Sequence, residues 1–160
     1  MFDLRNIGEN GKVIESGKME GYVNYTAYEN GVVIVSGCGT LNFNLRDCHF
    51  HYGHKPEAYY RVFVEGNFDK VGYSAFFDWI SLGQVVLPET IRVISERAFS
   101  DCDNLKRITL PGHIELIERG VFGYSGLEEV QFYDNIPVRP YLIDYFKSMN
   151  VRMTWRGIEL

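Results

Sequence analysis

The chain is poor in cysteine, with Cys38, Cys48 and Cys102 the three it has among 160 residues. The number is odd, no CxxC pair occurs and the spacings are wide, which excludes a disulfide framework and leaves reduced thiols as the expectation. Positive charge is also short: 16 Lys and Arg stand against 21 Asp and Glu, for a net charge of -5. Such a surface has no general attraction for phosphate, so nucleic-acid binding through a basic face is not expected. No apolar run approaches the ~18 residues of a membrane helix. The opening "MFDLRNIGEN" lacks the basic start and apolar middle of a secretory leader. No membrane contact is expected, and the expected location is the cytoplasm, or the cell surface or exterior if a leader has been trimmed away. Catalytic signatures are missing as well. There is no GxSxG elbow, no HExxH, no phosphate loop and no GxGxxG after a strand. Neither an enzyme nor a cofactor is expected.

What the sequence does have is a repeat. "LPETIRVISERAF" from Leu87 returns as "LPGHIELIERGVF" from Leu110, 23 residues later. Stepping back by the same 23 residues, "VEGNFDKVGYSAF" from Val64 aligns with both. Leu82, Val85 and Leu87 match Leu105, Ile108 and Leu110, and a copy one residue shorter supplies Leu127, Val130 and Phe132. A weaker match ends on Met153 and Trp155. Periods in this range belong to leucine-rich repeats. Each unit reads as a short strand such as "RITLP", with Ile108 and Leu110 inward and Arg107 and Thr109 outward. The return leg carries Ile91, Ile94, Ala98 and Phe99 into the core, the last two in a short helical turn. One unit cannot bury its apolar side alone, but stacked units cover one another. Phe76, Phe99 and Phe122 then fall in equivalent interior slots.

The expected fold is an α/β repeat solenoid, a short leucine-rich-repeat domain of ~23-residue units with a cap at each end. Residues 1–58 form an N-terminal β cap and loop, 59–135 the repeats and 136–160 a C-terminal helix-strand cap, in a single domain over 1–160. Asn-Gly in "ENGKV" and in "ENGVVIV" signals hairpins. The run Val32 to Val35 reads as a strand buried on both faces. After Pro137 and Pro140, the spacing of Tyr141, Leu142, Tyr145, Phe146 and Met149 predicts a helix over 139–149. A closing strand follows over 151–155.

These units resemble the BspA-like (Treponema-type) leucine-rich repeats. The resemblance rests on the proline after the strand, Val71-Gly72, Ala75-Phe76, Ala98-Phe99, Cys102 and Leu105, and covers roughly residues 30 to 132. Ser95 and Glu118 stand where the pattern has Gly, and Ser125 where it has Cys. The family resembled is mostly known for bacterial surface proteins and adhesins that bind other proteins. The resemblance therefore implies a protein partner.

Three places invite chemistry. "CHFHYGH" gathers Cys48, His49, His51 and His54, ligand types that suit zinc. On a strand, however, His49 and His51 share a face while Cys48 points away, and no second pair closes a four-ligand shell. A polar loop between cap and repeats is the expectation, and no metal is assigned. "SGCGT" around Cys38 has the form of a nucleophile turn, but a turn after a core strand, where glycines supply positive φ, is the expectation, and the resemblance to the family's hairpin favours it. Cys102 sits at a repeat position that wants a small apolar side chain, so it is expected in the core.

The outward strand face is the third place. One row reads Phe63, Val86, Thr109, Gln131 and Thr154; its neighbour reads Arg61, Gln84, Arg107, Glu129 and Arg152. With Tyr60, these positions form the expected binding face, with Tyr60, Phe63 and Arg107 as anchors. Phe63 and Val86 have two readings. Either they form an exposed contact patch, or the segment from Phe43 to Tyr60 covers them. The expected function is a non-catalytic protein-binding module, such as a small intracellular binder or inhibitor. The alternatives are a fragment of a bacterial surface adhesin and a self-associating structural protein, the latter as a homo-oligomer.

Overall fold

In a computed structural model of the chain, the structure describes residues 11–19, 21–43 and 60–160. Three strands come first: β1 (Val13–Met19), β2 (Tyr22–Tyr28) and β3 (Val32–Leu41). β1, β2 and β3 pair antiparallel in chain order. Asn30-Gly31 makes the turn into β3: Gly31 takes a φ of 78° and its N–H donates to the Tyr28 carbonyl at 3.1 Å. The other Asn-Gly, Asn10-Gly11, falls at the edge of the described residues, and the hairpin expected there lies outside them. Gly11 leads into β1 and packs against the Asn30 side chain, and Gly21, with a φ of 79°, turns β1 into β2.

β4 (Tyr60–Val71) lies parallel to β3 along almost its whole length. From β4 two ladders diverge. Its first half pairs with β5 (Leu82–Val86), which pairs with β7 (Arg107–Leu110), then β9 (Glu129–Phe132), then β10 (Arg152–Trp155), all parallel. Its last two residues pair with β6 (Val93–Ile94), which pairs with β8 (Leu116–Ile117). This second ladder was not expected, because two-residue strands are too short to show a period of two. The sheet is not closed. A short antiparallel strand, β11 (Ile158–Glu159), ends it beyond β10.

The register is the repeat itself. Arg61 lies opposite Gln84, Gln84 opposite Arg107, Arg107 opposite Glu129 and Glu129 opposite Arg152. Between the strands, Phe76 and Phe99 stack at 5.0 Å and 9°, and Phe99 and Phe122 at 5.6 Å and 7°. The three rings do hold equivalent interior slots. Phe43 extends the stack at one end and Phe146 at the other. Each fully buried Phe contributes about 1.5–3 kcal/mol in transfer terms.

Ala98 and Phe99 do not sit in a helical turn. They lie in successive tight turns, with Arg97 and Asp101 at φ 60°. A left-handed residue interrupts right-handed helical winding. The same device recurs at Ser74, Arg97 and Gly120, and again at Asp78, Asp101 and Tyr124. Backbone conformation thus follows the period even where side-chain identity does not.

The C-terminal helix α1 spans Pro140–Ser148 and buries Leu142 and Phe146. Pro at its first position suits the fixed φ of a helix start. Asn150, at φ 57°, follows the end in the left-handed form that terminates helices. α1 returns the chain to β10, which lies a full unit beyond β9. Val33 and Val35 enter the main core, while Val32, on the opposite face of β3, is also fully buried. No helix of the described residues is long and apolar enough to cross a membrane.

Candidate functional site: the outward strand face

Strand alternation sends Val62, Val85, Ile108 and Val130 into the core and their neighbours outward. The two outward rows line up as the period requires. Phe63, Val86, Thr109, Gln131 and Thr154 are successive partners across the ladder.

The second row is electrostatic. Arg61 and Arg107 are exposed, Gln84 half-buried. The Glu129 carboxylate sits between Arg107 Nη2 at 3.0 Å and Arg152 Nη2 at 2.8 Å. Partial burial works to raise the Glu129 carboxyl. The hydrogen bonds and charges of Arg152 and Arg107 outweigh it and hold the group below the usual carboxylate range. Lys106 pairs with Glu128 beside it at 2.7 Å.

The first row differs from the expected exposed patch. Phe63 and Val86 are each 5% exposed, and with Val32 they form a second apolar cluster, packed by Tyr28, Ile34 and Tyr133. Both residues are buried, so neither is an available anchor. The segment proposed as their cover lies mostly outside the described residues. Thr109 is 1% exposed. Tyr60 is a further correction. It shares the inward parity of Val62 and Val64, is 1% exposed and packs on Trp79 at 5.5 Å. Burial first, and the Glu15 charge second, pushes its phenol up to about 12. Its place is the core.

Beyond Thr109 the face opens into a groove of about 510 Å³, lined by Glu89, Thr109, Gln131, Tyr133, Asp134 and Asn135 among others. The segment after β9 builds it. "YDNI" from Tyr133 stands where the two earlier copies have "PETI" and "PGHI". Without the proline, Tyr133 reaches back two copies and donates its hydroxyl to the Leu87 carbonyl at 2.7 Å. Asn135 Nδ2 likewise donates to the Glu89 carboxylate at 3.2 Å. The copy between is crossed at Gly112, where a Cβ would come within 2.6 Å of the Pro137 carbonyl oxygen and 2.8 Å of Val138 Cα. Burial, then the Glu89 charge, raises the Tyr133 phenol to about 12, so it stays a neutral donor. Thr109 Oγ1 is buried and has no hydrogen-bond partner among the described residues. Of the groove residues, only Thr109 and Gln131 were anticipated from the sequence. The lost proline was the readable signal for the others.

Cys48, His49, His51 and His54 lie outside the described residues. Cys38 is exposed within β3, not in a turn after it, with Gly37 and Gly39 both at positive φ. A Cβ at Gly37 would overlap the Tyr22 carbonyl, so close strand approach is the reason for that glycine. Cys102 is fully buried, bonds the Phe76 carbonyl at 3.0 Å and has its thiol pushed by burial to about 12. A thiol held protonated is inert as a nucleophile.

Residues 59–150 match the model of the BspA type leucine rich repeat region, in six copies. The chain belongs to the BspA-type leucine-rich repeat family. The family match begins near β4 and takes in α1, while β1, β2 and β3 lie outside the matched residues. A leucine-rich repeat protein from Eubacterium ventriosum, known from a crystal structure, is similar with a TM-score of 0.53 and 14% identity, over 92% of this chain and 45% of that one. At that identity the likeness shows the fold. The chain spans less than half the length of that protein. No curated protein matches. BspA-type and other leucine-rich repeat domains commonly serve as protein-interaction modules and are generally non-enzymatic.

Proposed function

We propose that the chain is a non-catalytic protein-binding module, one domain over residues 1–160, in which capped repeats form a solenoid and present a rigid strand face. The observation that supports it is the in-register outward row Arg61–Gln84–Arg107–Glu129–Arg152. Its backbone positions are fixed by five hydrogen-bonded strands, and Glu129 is held by two ion pairs. A surface whose groups are already held in place loses little freedom on binding. The contact residues are Arg61, Gln84, Arg107, Glu129 and Gln131. Tyr60, Phe63 and Val86 act as the scaffold beneath them. An intracellular binder or inhibitor is the first reading; a piece of a surface adhesin is the second, favoured by the frequent surface association of BspA-type proteins.

The test is affinity capture from the native host with the parent protein, with Arg61→Glu and Arg107→Glu together, and with Leu116→Ser on the second ladder. The strand-face pair loses the partners and Leu116→Ser keeps them. Identical partners in all three samples would show that this face does not bind.

A further inference from the structure

The groove beside the charged row differs from the rest of the face in its unbalanced charge. Glu128 is neutralised by Lys106, and Glu129 by two arginines. Among the described residues, Glu89 and Asp134, on the groove, have no cation within ion-pair distance. Among the described residues, Glu89 receives the neutral Asn135 amide and Asp134 Oδ1 the Arg156 main-chain N–H. The Arg156 guanidinium lies beside Asp134 without forming an ion pair with its carboxylate: its Nε donates to the Asp134 main-chain carbonyl and the group stacks on Trp155 at 4.5 Å. Two uncompensated carboxylates on one concavity are not in themselves a site.

A second feature makes them one. Thr109 lines the same groove, is 1% exposed, and leaves Oγ1 with no partner among the described residues. An orphaned buried hydroxyl costs roughly 1–3 kcal/mol, and position 86, its equivalent one unit earlier, carries valine without that cost. The hydroxyl is destabilising to the free protein unless a ligand of the groove meets it. Tyr133 supplies a ring wall whose phenol is fixed by the Leu87 carbonyl. Carboxylates on the rim, a hydroxyl and the Gln131 carboxamide on the floor, and an aromatic wall together match a planar cation with several donors.

We propose that this groove receives an arginine side chain presented by a partner protein, with the guanidinium against Glu89 and Asp134 and over Tyr133, and with Thr109 Oγ1 accepting one of its N–H groups. Arginine suits it better than lysine because its flat, forked cation can bond two acceptors and stack at once. The proposal rests on the protein-binding reading and names the chemistry of its ligand.

The test is an amide-resolved NMR titration of the full chain at low salt with acetyl-Gly-Arg-Gly-amide, its citrulline counterpart and free arginine. The arginine peptide gives saturable shifts at the amides of Gln131, Tyr133 and Asp134. Glu89→Gln, which keeps the Asn135 hydrogen bond, weakens binding by about tenfold, the scale of one charge-assisted bond. Thr109→Val weakens it too while leaving the fold intact. Absence of saturable shifts, equal binding of the citrulline peptide, or indifference to Glu89→Gln overturns the proposal. Free arginine binding as well as the peptide removes the partner-protein assignment. Loss of arginine binding alongside a strand-face-dependent capture in the host experiment would sink the groove and spare the module. The reverse pair of results would sink the module.

Discussion

Thr109→Val should make this protein more stable. The side chain sits on β7 at 1% exposure, and its hydroxyl meets no donor or acceptor among the described residues. Valine has the same branched shape, so no rotamer or strand preference is lost. The ladder neighbour on one side is already Val86, itself 5% exposed. The exchange therefore removes the desolvation penalty of an unmade hydrogen bond, about 1–3 kcal/mol, and adds a methyl to apolar surroundings. Taking the low end, about 1 kcal/mol, the melting temperature of a chain this long rises by roughly 2–4 °C. With a urea slope of about 2 kcal/mol/M, the midpoint rises by about 0.5 M. Calorimetry and urea titration by circular dichroism read both. Thr154→Val, half-buried at the end of the same row, is the control and shifts less. An unchanged or lowered midpoint at constant slope would mean that the hydroxyl is satisfied in solution, and the reasoning about the groove floor would fail with it.

Other substitutions probe separate links. Phe99→Ala opens the aromatic stack between Phe76 and Phe122 and should cost about 3–5 kcal/mol, read as a fall in urea midpoint. Gly112→Ala pushes a methyl into the Pro137–Val138 backbone and should cost about 1–3 kcal/mol, with increased amide exchange at Tyr133 and Asn135. Tyr124→Asn relieves a left-handed backbone at an 87% exposed site and should gain about 0.5–1 kcal/mol, bringing the position into line with Asp78 and Asp101. Glu129 has a depressed carboxyl, so its stabilisation is full above the ordinary value of 4.5 and is lost as pH falls below that through the folded value. Glu129→Gln should therefore cost under about 1 kcal/mol at pH 7, because both arginines are half exposed, and almost nothing at pH 3. Stability curves at the two pH values, with and without added salt, check this.

The repeat was legible because burial repeats. Positions such as Ile91, Ile94 and Phe99 must be apolar in every unit for the stack to close, and that requirement is written directly in the letters. The two outward rows followed from strand parity and the period alone. Exposure was harder to read. Parity places Phe63 and Val86 outward, but whether another part of the chain lies against them depends on contacts far apart in sequence, such as those from Tyr28 and Tyr133. Tyr60 was misplaced for a simpler reason, since its own parity with Val62 argues for the core. The turns escaped because Arg97, Asp101 and Tyr124 carry no glycine signal for their left-handed backbone; hydrogen bonds from the adjacent unit impose it. The groove escaped because it is made by a departure from the pattern, Tyr133 in place of proline, and departures do not announce their consequence.

The strands that flank the sheet, β1 and β11, stand at opposite ends of the strand order. Tension applied between them would run along the inter-strand hydrogen bonds and not across them. Bonds loaded in that direction yield one after another, as a zipper does, instead of resisting together. Stretched between those two strands, the molecule should lengthen in small successive steps of about one repeat each, with most of its remaining units still folded at every stage.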